Sequence, residues 1–487
     1  MGCADPGVRI PRIDGPLVLE LRYPLDGTII AQDSTAIWGS TGSGRASLDV
    51  NGRRIRVEPN GAFADFVPLP AGGTAMLRFR AHVGSDTVTR AIRIPRHAGA
   101  AGTAVAAEPR VRDWTYRVRL RRLPSDTVDS ATQARPIFTR WLPDGSVAFG
   151  IPQGMRLFAD ARTDDHLRLR IAPGLRVWVP AADAEVIGPG QPRNHPLHDL
   201  RVSADSAEAV VSFALEEPVF SQAELGGGHL VWTVYGVDAD AAAPAAGPES
   251  GIIRSLASLP SGAGTVRLDI ALADEPLGWK TEWQEGRLRL RIRTLPRFRD
   301  GLRGLVVGLD AGHPPEGSTG AAGLREDSMT LAVARAAADR LRALGARPVL
   351  IRENEAPVSL DERIARAERM GVHVFISIHG NSPGPGRPPR AVLGTAVYWF
   401  WQNAYPLARA LHLEVARALG QRPLALVRED LAVLRPTWYP AILVEGTAMV
   451  VPEREAFLRT QRGIDAYADG IVAGLRDWLS ARDGGPQ

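Results

Sequence analysis

The sequence predicts a multidomain protein, with three N-terminal all-β modules followed by an α/β domain whose mixed, mostly parallel sheet is flanked by helices. The length of 487 residues exceeds what one ordinary hydrophobic core covers. Up to about residue 297 the apolar residues alternate in short segments separated by turn residues, which is typical of all-β modules. From about residue 300 apolar strands alternate with segments of helical periodicity, which indicates an α/β layer.

Residues 1–14 are predicted to be an N-terminal tail. Cys3 is the only cysteine, so an intramolecular disulfide is excluded. A small residue before this cysteine and a polar stretch after it resemble the start of a mature bacterial lipoprotein, which makes Cys3 a candidate lipid anchor. The alternative is a chance cysteine near the start of the chain. No apolar run is long enough to predict a transmembrane helix.

The overall composition favours an ordinary globular protein. Hydrophobic residues make up 45% of the chain, and the net charge is +4 at pH 7. Because no dense basic run is interleaved with aromatic residues, we do not expect nucleic acid as a partner.

Residues 15–96 are predicted to form a small β-sandwich that resembles bacterial immunoglobulin-like modules. Its strongest local signal is Asn51-Gly52 between two alternating segments, which predicts a tight hairpin turn. Such modules act as spacers or adhesive units, and no residue here has a catalytic pattern. Residues 97–109 have no periodic apolar pattern and are predicted to be a linker.

Residues 110–190 contain short strands that resemble a bacterial SH3-like barrel. We favour a core position for Trp178 over a sugar-binding platform, and we leave open a contact of this module with the cell wall. Residues 191–297 form a third β-rich region, whose final strand after Trp283 resembles the β-sandwich targeting modules found upstream of some catalytic domains. Its segment 239–250 is predicted to be a disordered loop, and His195 and His198 are interpreted as surface-loop residues instead of a metal pair.

Residues 300–482 carry the candidate chemistry. Two apolar strands end at His313 and His379, a third ends at Glu445, and Glu326 stands at the start of a helix. Side chains at the carboxyl ends of neighbouring parallel strands converge in one crevice. Two histidines and two glutamates in one crevice predict a zinc hydrolase site.

The order of the motifs resembles the zinc-dependent N-acetylmuramoyl-L-alanine amidases of the amidase type 3 family, which cut peptidoglycan. The motifs are LDAGH at 309–313, GLREDSMTL at 323–331, VSLDERIARAE at 358–368, VFISIHGN at 374–381 and LAVLRPTWYPAILVEG at 431–446. The resemblance implies that His313, Glu326 and His379 bind Zn²⁺ and that Glu445 is the general base. Asp310 and Asn381 are candidates for supporting the ligands or contacting substrate, although Asp310 could equally be a structural turn residue.

The resemblance also implies the reaction and its place. The enzyme would hydrolyse the amide bond between N-acetylmuramic acid and the L-alanine of the stem peptide, with zinc-activated water. Peptidoglycan would be the partner, in a periplasmic or extracellular location in the cell envelope. Whether the enzyme has a protein activator stays open.

Departures from the family pattern keep other functions open. Pro314-Pro315 replace the usual glycines after the first histidine, and an aromatic turn residue is missing after Glu445. One alternative is a cell-wall-binding or regulatory envelope protein with a slow or inactive amidase fold; another is an amidase for a different amide. We interpret His373, within a predicted strand, and His412, on a helix surface or edge, as structural.

Overall fold

The computed structural model describes residues 9–71, 73–96, 111–121, 136–238, 251–259, 261–298, 301–315 and 317–483. The predicted fold class is confirmed, because β-sheets fill the N-terminal region and a mixed sheet with helices follows. The predicted linker 97–109, the predicted loop 239–250 and Cys3 lie outside the described residues. No helix within the described ranges is long and apolar enough to cross a membrane.

The first β module is a sandwich of two antiparallel sheets, ordered β1-β2-β5 and β4-β3-β6-β7. The predicted hairpin turn joins β3 and β4, and Asn51 and Gly52 have positive φ angles of 51° and 82°. This pair of left-handed residues is what a two-residue hairpin turn requires. The strands are β1 Glu20–Tyr23, β2 Ser34–Ser40, β3 Ser47–Val50, β4 Arg53–Ile55, β5 Ala62–Pro68, β6 Thr74–Val83 and β7 Asp86–Pro95.

The second β module is one seven-stranded sheet in the order β10-β9-β13-β12-β11-β8-β14. Trp178 is only 4% exposed, so it lies in the core, as favoured from the sequence. The strands are β8 Arg112–Leu120, β9 Ile137–Arg140, β10 Val147–Ile151, β11 Arg156–Arg162, β12 His166–Ala172, β13 Leu175–Pro180 and β14 Ala184–Pro189.

The third β module has two four-stranded antiparallel sheets, ordered β16-β17-β24-β23 and β18-β19-β22-β21, and a short parallel pair, β15-β20. The alternation of apolar residues places one face of each sheet in a shared core. The strands are β15 His195–Pro196, β16 His198–Ala204, β17 Glu208–Ala214, β18 Ser221–Gly226, β19 His229–Tyr235, β20 Val237–Asp238, β21 Ile253–Leu259, β22 Thr265–Leu272, β23 Gly278–Gln284 and β24 Arg287–Arg293.

The C-terminal domain has a six-stranded sheet in the order β26-β25-β27-β30-β28-β29. All neighbours are parallel except β28 and β30. The strands are β25 Val306–Ala311, β26 Arg347–Leu350, β27 Val374–Asn381, β28 Thr395–Trp399, β29 Pro423–Arg428 and β30 Ala441–Ala448. The central strands β25, β27 and β30 are almost completely buried, which explains their continuous apolar sequences.

Helices cover both faces of this sheet and create two separate cores. They are α1 Glu326–Ala343, α2 Leu360–Arg369, α3 Tyr405–Ala418, α4 Pro452–Leu458 and α5 Gln461–Asp483. The spacing of Ser359 and Glu362 predicts a cap at the start of α2, and the Ser359 side chain accepts a hydrogen bond from the Glu362 amide at 3.1 Å.

The apolar periodicity of the C-terminal segment predicts one helix from about Glu453 to Leu479. This prediction is wrong, since the structure has α4 and α5 with a turn between them. The Thr460 hydroxyl accepts a hydrogen bond from the Gly463 amide at 3.1 Å, and this cap starts a new helix. Gly463 also allows the close approach of the two helices, because a Cβ atom there would lie 2.1 Å from the Phe457 carbonyl oxygen.

The first β module shares the core of the C-terminal domain. Ala36, Trp38 and Ala62 belong to the same buried cluster as β25, α1 and α5. The Trp38 ring stacks on Tyr23, with 4.5 Å between ring centroids. Residues of the first module therefore pack directly against the helical layer of the C-terminal domain.

The third β module contacts another part of the C-terminal domain through hydrogen bonds to its backbone carbonyl oxygens. The Trp279 amide donates to the Thr437 carbonyl oxygen at 2.9 Å, and the Arg293 guanidinium donates to the Val372 carbonyl oxygen at 2.8 Å. Gly278 makes this approach possible, because a Cβ atom there would lie 2.3 Å from the Trp438 carbonyl carbon.

We expect Gly278→Ala to separate the third module from the C-terminal domain, because the added methyl group meets rigid backbone. The expected result is a lower midpoint of thermal unfolding and faster limited proteolysis between the two units. Gly226→Ala in the same module is the matched control, since a Cβ atom there meets nothing within 4 Å. Equal stability of the two variants would contradict this account of the junction.

Candidate metal centre

Two imidazoles and one carboxylate meet at the carboxyl end of the central strands. His313 follows β25, His379 lies near the end of β27, and Glu326 is the first residue of α1. One ligand atom from each lies within 4.8 Å of the other two, and this is the one such group of three among the described residues. The convergence expected from the strand ends is therefore present in the fold.

Glu326 is the best-partnered residue of this group. Its Oε1 atom lies 3.1 Å from His379 Nδ1 and 3.4 Å from His313 Nε2, and it accepts the Gly380 amide hydrogen bond at 3.0 Å. Its Oε2 atom accepts a hydrogen bond from the Ser318 amide at 2.8 Å. Burial acts to raise the pKa of Glu326, but the hydrogen bonds and charges of both histidines lower it well below its usual range. The carboxylate is therefore ionised and aimed at both rings.

His313 is held in an unusual backbone conformation with a φ of 58°. Its Nδ1 atom lies 3.1 Å from the Pro315 carbonyl oxygen, which can only accept a hydrogen bond. Its Nε2 atom faces Glu326 Oε1 at 3.4 Å, so both ring nitrogens face hydrogen-bond acceptors, which favours the protonated ring in the metal-free protein. Burial acts to lower the pKa of His313, but the hydrogen bond and charge of Glu326 raise it overall.

Gly312 creates the space for the second imidazole. A Cβ atom at this position would lie 2.4 Å from Cε1 of His379. The two histidine rings stand nearly perpendicular, at 83°, with centroids 5.0 Å apart. The glycine of the LDAGH motif thus acts by allowing close packing, because any side chain there would push His379 away.

Glu445 lies directly opposite His379 in the pairing of β27 with β30. Its Oε2 atom is buried and has no hydrogen-bond partner within the described part of the chain. Burial raises the pKa of Glu445 to about 7, the charge of Glu326 adds to this, and the two histidines oppose it. This carboxyl group therefore differs from Glu326, since it is unpaired and holds a proton more readily.

The sequence of this domain matches a known family. Residues 307–477 match the model of the N-acetylmuramoyl-L-alanine amidase family. The C-terminal domain belongs to this family.

Relatives of this amidase domain come from several bacteria. The chain is 28% identical to the uncharacterised protein YqiI of Bacillus subtilis, over 39% of this chain and 91% of YqiI. It is also 28% identical to the N-acetylmuramoyl-L-alanine amidase LytC of the same organism, over 36% of each chain. Among solved structures it resembles the N-acetylmuramoyl-L-alanine amidase AmiC2 of Nostoc punctiforme, with 29% identity and a TM-score of 0.34, over 36% of this chain and 97% of AmiC2. The chain thus spans nearly all of YqiI and about a third of LytC.

Asp310 of the amidase domain supports the backbone of the centre instead of contacting His313, Glu326 or His379 through its side chain. Its carboxylate accepts hydrogen bonds from Arg363 at 2.6 Å and from the Ser377 hydroxyl at 2.7 Å, and Asp310 is 1% exposed. Arg363 also donates to the carbonyl oxygens of His313 and Pro314, both at 3.0 Å. Removing one partner of such a buried pair costs about 3–5 kcal/mol, so Asp310 and Arg363 fix the backbone that carries His313.

Asn381 ends β27, two residues beyond His379, and its carbonyl oxygen accepts a hydrogen bond from the Met449 amide at 3.0 Å. Its side chain is half-buried at the edge of the amidase centre. A direct role of this side chain toward substrate stays a prediction.

Sequence reasoning missed Tyr467, which lies beneath the amidase centre. Its hydroxyl is 3.0 Å from the His379 carbonyl oxygen and 2.9 Å from the Val444 carbonyl oxygen, so it bridges the two strands that carry His379 and Glu445. Gly446 makes room for the ring, because a Cβ atom there would lie 2.3 Å from it. The only available signal was an aromatic residue on the apolar face of the last helix, which does not by itself indicate this role.

Sequence reasoning also missed two residues that hold the segment before Glu326. Glu455 is fully buried and accepts hydrogen bonds from the amides of Ala322 and Leu324 at 2.6 and 2.7 Å. Trp38 of the first β module donates its indole hydrogen bond to the Thr319 carbonyl oxygen at 3.0 Å. The amidase centre therefore depends on contacts from α4 and from another module.

The remaining histidines lie outside the group of three. His373 precedes β27 instead of lying within it, and its Nδ1 atom accepts a hydrogen bond from the Val306 amide at 3.1 Å. His412 is not on the helix surface as expected; it is buried, with Nε2 3.0 Å from the Thr395 carbonyl oxygen. Both are structural. His195 and His198 lie in short strands, not in a surface loop, because β15 pairs with β20 and β16 pairs with β17.

The raised pKa of Glu445 predicts a pH dependence of stability in the metal-free protein. Folding disfavours the ionised form, so the contribution of this residue is fully present below pH 4.5 and is lost as the pH rises through about 7. Glu445→Gln removes this titration. The variant therefore does not lose the free energy of unfolding, of the order of 3 kcal/mol, that the unsubstituted protein loses over this pH range.

Thermal unfolding of both proteins from pH 4 to pH 8 measures the effect. We expect the unfolding midpoint of Glu445→Gln to rise relative to that of the unsubstituted protein between pH 4.5 and 7, and the difference to be constant above that range. A difference that does not change with pH would contradict the burial of an unpaired Glu445 carboxyl group.

Proposed function

We propose that the protein is a zinc-dependent N-acetylmuramoyl-L-alanine amidase, which hydrolyses the amide bond between N-acetylmuramic acid and the L-alanine of the peptidoglycan stem peptide. The observation that carries the proposal is the buried, unpaired Oε2 atom of Glu445 beside the group His313, Glu326 and His379. A proton acceptor next to three metal-ligating side chains is the arrangement that metal-assisted hydrolysis requires.

The three side chains fit the ligand preferences of zinc. Catalytic zinc sites use three protein ligands, and two imidazoles with one carboxylate are a known set. His313, Glu326 and His379 would hold the ion, and the ionised state of Glu326 supplies one negative charge toward it. Zinc bound there would polarise the substrate carbonyl and acidify a water molecule at its open position.

Glu445 would move the proton. As the general base it takes a proton from the attacking water and delivers it to the leaving amine of L-alanine. Without metal its pKa is about 7, and a nearby cation would lower that pKa and favour the ionised, proton-accepting form at neutral pH. Asn381, at the edge of the centre, is a candidate contact for the substrate.

The proposed substrate places the protein in the cell envelope, in the periplasm or outside the cell. The family of the C-terminal domain supports peptidoglycan as the partner. A lipid anchor at Cys3 and a protein activator stay predictions of the sequence.

We expect Glu445→Gln to lower the rate of amide cleavage by about 10²–10⁴-fold while zinc still binds, because the variant keeps the three ligands and loses the base. The measurement is mass spectrometry of purified peptidoglycan after incubation with zinc-loaded protein, together with the zinc content of each protein. Free stem peptides that begin with L-alanine are the expected product.

Glu429→Gln is the matched control, since Glu429 is an exposed carboxylate just beyond the edge strand β29 of the same sheet. It should cleave at the unsubstituted rate. Intact muropeptides with protein bound to the sacculi would refute the amidase proposal and favour a wall-binding protein with an inactive amidase fold.

We expect Gly312→Ala to weaken zinc binding by about tenfold or more, because the new methyl group would displace the His379 ring. Competition with a chromophoric chelator measures the affinity. Gly384→Ala is the control, because a Cβ atom there meets nothing within 4 Å. If both variants bind zinc as tightly as the unsubstituted protein, His379 is not a ligand in the proposed geometry.

A further inference from the structure

A second cleft lies between the second and third β modules, outside the amidase domain. Its volume is about 440 Å³, which is within the range of small-molecule and peptide sites. Its charged lining residues are four arginines and one glutamate, namely Arg117, Arg156, Arg170, Arg193 and Glu217. The cleft therefore has a formal excess of three positive charges. Burial and then the charge of Arg193 lower the pKa of the neighbouring His195, so this residue adds no positive charge at pH 7.

Three of these arginines share a single carboxylate. Glu217 lies 3.4 Å from Arg117, 3.4 Å from Arg193 and 3.6 Å from Arg156. Each guanidinium carries five N–H donors, so one carboxylate can pair with only a few of them, and most of the others face solvent or a ligand as far as the described residues go. Arg170 makes no ion pair or side-chain hydrogen bond among the residues that the structure describes. The cleft therefore holds more donor capacity than its own residues use.

The floor of the cleft is aromatic. The Phe220 ring is stacked on Tyr235 at 5.6 Å and on Phe149 at 4.7 Å between centroids. Phe220 is 4% exposed, and the Tyr235 hydroxyl accepts a hydrogen bond from Gln222 at 2.9 Å. An apolar floor below a ring of guanidinium groups suits a ligand that combines small apolar groups with carboxylates.

We propose that this cleft binds the carboxylate-bearing stem peptide of peptidoglycan at a place separate from the metal centre. The proposal rests on the proposed function, which makes this peptide the neighbour of the amidase domain. Guanidinium groups bind carboxylates through paired hydrogen bonds, and Glu217 already occupies the cleft as a carboxylate held by three of them. The cleft would hold one part of the wall while the amidase domain acts on another.

Calorimetric titration of the full-length protein with a synthetic stem tetrapeptide tests the proposal. We expect the double substitution Arg117→Gln and Arg156→Gln to weaken binding by about tenfold or more, because two charged hydrogen-bond donors are lost. A tetrapeptide with carboxamides in place of its carboxylates should bind equally weakly to both proteins. Arg176→Gln is the matched control, since its side chain is 43% exposed, like that of Arg156, and lies outside the cleft.

Glu217→Gln provides a test of opposite sign that does not depend on the folding of the arginine variant. It frees the guanidiniums, so we expect tighter binding of the tetrapeptide. Unchanged affinity in both cleft variants, equal binding of the carboxamide peptide by the unsubstituted protein, or no binding by that protein would overturn the proposal. Tighter, arginine-dependent binding of a phosphate polymer than of the tetrapeptide would also overturn it.

The cleft and the metal centre can fail separately. Glu445→Gln should bind the tetrapeptide like the unsubstituted protein, because the cleft does not include the base. If amide cleavage is absent but binding still depends on the cleft arginines, the cleft proposal stands and the proposed function falls. If cleavage occurs and the cleft variants bind the tetrapeptide as tightly as the unsubstituted protein does, the proposed function stands and the cleft proposal falls.

Discussion

A buried negative charge at position 326 is the constraint on which the amidase centre depends. Glu326 is 3% exposed, and an ionised carboxylate at this depth is stable only when it is paired and hydrogen-bonded. Two backbone amides, from Ser318 and Gly380, and the rings of His313 and His379 supply these partners. The same contacts bring both imidazoles to one point, so pairing this charge also brings together the three side chains that we propose bind zinc.

The scaffold around this charge extends through several parts of the chain. Arg363 on α2, paired with the buried Asp310, holds the backbone of His313 through a hydrogen bond to its carbonyl oxygen. Glu455 and Trp38 hold the segment before Glu326 from the other side, and Trp38 belongs to the first β module. This module is thus more than a spacer, since its indole group is part of the support of the centre.

The sequence could predict the centre because strand ends carry their chemistry in local motifs. His379 and Glu445 each follow an apolar run, and parallel pairing brings such positions together without further information. Contacts between distant segments leave no comparable local signal. The bridge from Tyr467 and the indole contact from Trp38 could not be predicted, because each depends on how a helix or a module docks. Thr460 is a residue type that caps the start of a helix, which was a signal for the break between α4 and α5. The apolar periodicity continues on both sides of it, however, and therefore predicted a single helix.

The most direct test of the central claim is a crystal structure of the zinc-loaded protein, with diffraction measured on both sides of the zinc absorption edge. The account predicts one zinc ion bonded at about 2.0–2.2 Å to His313, Glu326 and His379. It also predicts that Glu445 lies beside the ion without binding it. Zinc bound at another place, or direct coordination by Glu445 in place of one of the three ligands, would contradict the account.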